Sequence, residues 1–142
     1  MFRTNNLLVL LAVLIGIAAL PGCGSGNAAS VQGVVTLDGV TVKAGTVTFH
    51  PVQEGPRAYG QIGLDGSYQL STGSDSGIIP GEYIVTVVGT EPLPPNMELE
   101  SQPPPPITPA RYASRDESDL RRTVTKGANK IDLPLTTQPT SE

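Results

Sequence analysis

The chain has no tryptophan, one cysteine (Cys23) and one histidine (His50) among its 142 residues. Without tryptophan it cannot build a sugar-binding face of stacked indoles. Its aromatics are four tyrosines and two phenylalanines, with Phe2 at the very start. A lone cysteine excludes disulfides within the chain and leaves no thiolate set for a metal. Nine Lys and Arg against thirteen Asp and Glu give a formal net charge of −4. That balance argues against nucleic acid, whose phosphates need a basic patch, and against attraction to anionic lipid head groups. One apolar run exists, residues 7–20, and it falls short of the roughly 20 residues that span a bilayer.

What is present begins with that run. Arg3 precedes it, a small residue (Gly22) follows it, and Cys23 comes next, which is the order of a secretory signal. Leu20-Pro21-Gly22-Cys23 resembles the bacterial lipobox, in which the peptide is cut before the cysteine and the thiol carries acyl chains such as palmitate. Residues 1–22 are therefore expected to be a lipoprotein signal peptide, with Cys23 as the lipidation site. Two or more acyl chains, at about 0.8 kcal/mol for each buried methylene, turn marginal membrane binding into a durable anchor. Loss of residues 1–22 leaves 120 residues and, because Arg3 is the only charge removed, a formal charge of −5. By analogy, Gly24 in place of an aspartate after the cysteine points to the outer rather than the inner membrane.

Residues 23–30 are small and polar, a flexible tether. From Val31 the pattern turns to period two, with Val31, Val35 and Leu37 on one face and Asp38-Gly39 as a hairpin signal. Val47 and Phe49 point inward on a strand that Pro51 ends, and Thr46, Thr48 and His50 point outward. Tyr68 and Leu70 share a face after the Asp65-Gly66 turn. Residues 82–88 are apolar on both faces and predict a central strand. Residues 91–109 hold eight of the fourteen prolines, four of them in a row from Pro103 to Pro106, and read as an extended surface loop or crossover. Leu120 and Val124 point inward, residues 127–129 read as a turn, and Ile131, Leu133 and Leu135 line one face. Residues 136–142 read as a disordered tail. About seven short strands without a helix predict an all-β fold, a single antiparallel β-sandwich over residues 31–135.

The motifs resemble a known family. Val31-x-Gly33-x-Val35-Thr36-Leu37-Asp38-Gly39 followed by Gly45-Thr46-Val47-Thr48-Phe49, then Asp65-Gly66-Ser67-Tyr68, then Pro80-Gly81-Glu82-Tyr83-x-Val85, are similar in order to carboxypeptidase regulatory-like domains. Along nearly its full mature length the chain resembles the small lipoproteins of this kind in planctomycete-type bacteria, including a Pro109-Ala110-Arg111-Tyr112 segment before the final hairpin. The resemblance implies a transthyretin-like (prealbumin-like, Ig-like) sandwich and no catalytic residues.

The residues that carry chemistry agree with that implication. His50 has no second histidine to share a metal and no evident base partner, and no G-x-S-x-G elbow accompanies it. Asp38, Asp65 and Asp75 sit in turns, and no D-x-D-x-D loop for calcium exists. Asp116, Glu117 and Asp119 beside Arg115, Arg121 and Arg122 read as a solvated mixed-charge loop. A Lys–Asn cross-link would have to use Lys43 or Lys130 with Asn129 and Glu82. The expectation is a non-enzymatic, cofactor-free, lipid-anchored envelope protein, structural or protein-binding. The alternative is a ligand or glycan receptor using residues 53–57 and 72–79, with Tyr59 and Asp75.

Overall fold

The computed structural model describes residues 29–95 and 103–139. Along them run eleven strands: β1 Ala29–Leu37, β2 Val40–Thr41, β3 Gly45–Pro51, β4 Ala58–Gln61, β5 Ser67–Gln69, β6 Ser71–Thr72, β7 Asp75–Ser76, β8 Gly81–Gly89, β9 Arg121–Val124, β10 Gly127–Lys130 and β11 Leu133–Leu135. One 3-10 turn, Ala110–Ala113, precedes β9. The fold is all-β, two sheets face to face. Cys23 and the expected signal segment, residues 1–22, lie outside the described residues.

The larger sheet is antiparallel throughout, in the order β7-β6-β4-β3-β8-β9. β8, the strand apolar on both faces, lies inside it between β3 and β9. The other sheet is built around β1. On one side β1 pairs antiparallel with β5 and β2; on the other it pairs parallel with β10 and β11. The parallel register runs without a slip, from Ala29 opposite Gly127 to Leu37 opposite Leu135. The sequence pattern predicts antiparallel pairing because each of its turn signals is local. Parallel partners need a long connection, and here the first strand of the domain meets the last two.

Between the sheets lie Val31, Val35, Val47, Phe49, Leu70, Val85, Val87, Leu133 and Leu135, each fully buried. These are the alternating positions of the sequence pattern, so period two sets the core directly. Phe49 sits at its centre, its ring 6.4 Å from that of Tyr68 and 5.8 Å from that of Tyr83. Both tyrosine hydroxyls leave the core to donate to carbonyls, Tyr68 to Ile131 and Tyr83 to Ile79, each at 2.6 Å. Burial raises both phenols above their ordinary pKa.

The proline-rich connection has a defined task. β9 covers only the first half of β8, pairing Gly81–Ile84, which leaves the second half as an open edge. Residues 106–120 lie along that edge. The Ile107 amide donates to the Gly89 carbonyl at 2.8 Å, and the Val85 amide donates to the Leu120 carbonyl at 2.8 Å. Buried hydroxyls complete the row: the Gly89 amide donates to Thr108 Oγ1 at 3.0 Å, and Ser118 Oγ donates to the Val85 carbonyl at 2.5 Å. The connection thus closes a sheet edge partly through backbone groups and partly through Thr and Ser side chains.

Three expectations need adjustment. β1 begins at Ala29, two residues inside the expected tether, because Ala29 exchanges hydrogen bonds with Ile78. Residues 127–129 form β10 rather than a turn; the reversal falls at Thr125 and Lys126, held by the Asn129 side chain. The start of the expected disordered tail is bonded to the domain. Thr137 donates its amide and hydroxyl to Asp38 at 3.0 and 2.8 Å, and the Thr136 amide donates to the Tyr112 hydroxyl at 3.2 Å.

Candidate functional site

His50 stands on the outer face of the larger sheet at the end of β3, opposite Ile84 of β8. It is half-buried. Its Nε2 lies 3.0 Å from Thr86 Oγ1, and its Nδ1 is enclosed with no partner. Burial lowers the imidazole pKa below 6.5, and the guanidiniums of Arg57 and Arg115 lower it further. The hydroxyl beside it belongs to Thr86, 7% exposed within the sheet wall, and not to a serine.

Around His50 is a concavity of about 350 Å³, lined also by Pro51, Gln53, Glu54, Arg57 and Arg115. Pro51 ends β3 by removing a backbone donor, and the chain loops out through residues 52–57 before β4. That loop forms one wall. Arg115, reaching from the connection that covers β8, forms another and donates from Nη2 to the Pro51 carbonyl at 3.2 Å. On the opposite side of the loop lies a second cleft of about 290 Å³, where Glu54 and Pro56 face Ile79, Pro80 and Tyr83. A third hollow, of about 470 Å³, opens over the other sheet between Gln32, Gln61, Gln69 and Lys130.

The remaining singled-out side chains hold the backbone. Asp65 Oδ1 accepts from the Ser67 amide at 3.0 Å and the Ser67 hydroxyl at 2.6 Å, and these bonds lower its pKa. Asp38 is held low in the same way by Thr137 and not by its own turn. Asp38 and Gly39 both have positive φ, 50° and 81°, as a type I′ hairpin requires. Arg122 donates to the Arg121 carbonyl at 2.8 Å. Lys130 Nζ is 3.8 Å from Asp132, and Asn129 Nδ2 donates to the carbonyls of Ser30, Thr125 and Gly127. Tyr59 and Asp75 are not brought together. Tyr59 faces Ser71 on β6 and Asp75 lies beyond it on β7, so two strand spacings of about 5 Å each separate them.

Two residues of the Pro109-Ala110-Arg111-Tyr112 segment, given no role by the sequence pattern, organise the C-terminal end. The Arg111 guanidinium lies 4.5 Å over the Tyr112 ring and donates to its hydroxyl, to the Gln138 carbonyl and to the Thr136 carbonyl. The Pro-x-x-Tyr spacing was the available signal, since it places Tyr112 inward from a 3-10 turn. Among the described residues no three His, Cys, Asp or Glu side chains come together as a metal set. No helix there is long and apolar enough to cross a membrane. No protein-family model, no curated protein and no solved structure matches the chain.

Proposed function

We propose that this chain is an exported, lipid-anchored, non-catalytic module of the bacterial cell envelope, structural or protein-binding, of the carboxypeptidase regulatory-like kind. The observation that carries this reading is Leu20-Pro21-Gly22-Cys23 behind an apolar run, six residues before β1 begins. A short tether of small residues then leads directly into the central strand of one sheet, so pull on the anchor enters the core of the domain. Support also comes from how the polar side chains are used. Asp38, Asp65, Thr108, Ser118 and Asn129 all bond backbone groups of turns, edges and the tail.

Labelling cells with an alkyne-tagged palmitate tests the anchor. The expected result is label on the wild-type chain and none on Cys23→Ser; label on both, or on neither, overturns it. A second reading, a ligand or glycan receptor, is favoured by the two clefts that flank residues 52–57. It predicts that calorimetry with envelope glycan fragments gives heat that replacement of Gln53 and Glu54 by alanine abolishes.

A further inference from the structure

The concavity at His50 collects cations in a chain whose net charge is −4. Arg57 and Arg115 come from separate segments, yet both act on the same imidazole. Like charges gathered this way repel unless something of opposite sign sits between them. The ion pair between Lys130 and Asp132 involves neither guanidinium. Glu54 lines the same space without pairing to them, and Arg115 offers only one nitrogen to the Pro51 carbonyl. The planar forks of arginine match phosphate oxygens two at a time.

We propose that this concavity binds a phosphate oxyanion, with Arg57 and Arg115 as its clamps and His50 in its floor. A volume of about 350 Å³ admits a phosphate ester with part of the group that carries it. The negative overall charge opposes long-range attraction to an anionic surface, but the pocket acts within the Debye length of about 10 Å, where local charges govern. Its position suggests one source of phosphate. Pro51 pairs with Tyr83, Gly81 with Val124, and Gly127 with Ala29, so the pocket lies at the end of the sandwich where β1 starts. If the anchor at Cys23 holds, that end faces the lipid head groups; the site itself does not depend on the anchor.

His50 is the only histidine, so its ring proton gives one unambiguous NMR titration. The charged groups around it are Arg57 and Glu54 from the loop and Arg115 from the connection. Glu82 lies on the outer face of β8, and Arg121 stands across from Ile84. A bound anion favours the imidazolium, so its titration midpoint should rise. In the full chain with Cys23→Ser in neutral detergent, millimolar inorganic phosphate should raise the midpoint more than chloride of equal ionic strength. Arg57→Gln and Arg115→Gln, both at exposed positions, should each weaken phosphate binding tenfold or more, and Glu54→Gln should strengthen it. A parallel titration in bicelles compares phosphatidylglycerol with phosphatidylcholine. A rise in phosphatidylglycerol that Arg57→Gln removes identifies the head group as the source; a rise with free phosphate alone identifies a soluble phosphate. No rise with either, or an equal rise in Arg57→Gln, overturns the site whatever the state of Cys23.

Discussion

For individual residues, His50 differs most from its sequence reading as an outward-facing side chain with no evident partner. Alternation correctly puts it on the outward face of β3, but the loop over residues 52–57 and Arg115 enclose it there. Its pKa in the folded chain lies below the 6.5 of the unfolded chain. Above 6.5 both states are neutral and the full stability is present. As pH falls from about 6.5 toward the folded value, the unfolded state takes up the proton first and stability drops. Melting temperature followed from about pH 7.5 to 5 should therefore decline, and His50→Gln should flatten that part of the profile. An unchanged slope in His50→Gln would mean that other groups carry the decline. Gly33 is the opposite case, legible as a position of the Val31-x-Gly33-x-Val35 motif yet without a role until the ladder is seen. A Cβ there would meet the Ile131 carbonyl oxygen at 1.9 Å.

At the element scale, the connection over residues 106–120 acts as an edge strand without being one. Thr108 and Ser118 carry the polar load that a β-ladder would otherwise bear, and both are buried. Thr108→Val keeps the shape and leaves the Gly89 amide with no acceptor. It should lower stability by about 1–3 kcal/mol, read as a shift in the urea midpoint, because the cost is that of a buried unsatisfied group. Thr108→Ser retains the hydroxyl and should recover most of the loss. A Val variant as stable as wild type would show that water reaches the Gly89 amide. The sequence made the prolines conspicuous, whereas the structural contribution of this stretch comes from the hydroxyl residues on either side of the 3-10 turn. Neither Thr108 nor Ser118 stands out by pattern, since each satisfies a partner more than thirty or nearly twenty positions away.

At the scale of the whole molecule, the parallel joining of β1 to β10 and β11 ties the beginning of the domain to its end. The joint pinches at Ile131 and Asp132, between β10 and β11. There the Ile131 amide donates to the Gln32 carbonyl at 2.8 Å, and Asp132 Oδ1 replaces a backbone acceptor for the Val34 amide at 3.0 Å. Gly33 makes the close approach possible. Gly33→Ala should cost about 3 kcal/mol through overpacking, with faster hydrogen exchange along residues 31–35 and 129–133. Gly39→Ala offers the comparison, because a Cβ there meets nothing and only its φ of 81° is strained, so about 1 kcal/mol is expected. Equal losses at the two positions would remove the ladder pinch as the cause. The core itself needed no such tertiary information. Val31, Val35, Val47, Phe49, Tyr68, Leu70, Leu120, Val124, Leu133 and Leu135 are inward by alternation and buried in the structure.

The all-β class, the alternating residues that form the core, and the tight turns at Asp38-Gly39 and Asp65-Gly66 are all written in the order of the residues. These follow from period two and from local φ preferences, which act over a few neighbouring residues. The parallel run of the first and last strands, the hydroxyls that close the edge of β8, and the hold of Asp38 on the chain beyond β11 emerge only when the chain is folded. Folding alone brings Arg57 and Arg115 to His50. Each of those contacts joins positions far apart along the chain, where pairing depends on the path of the connections and leaves no periodic trace in the residues themselves.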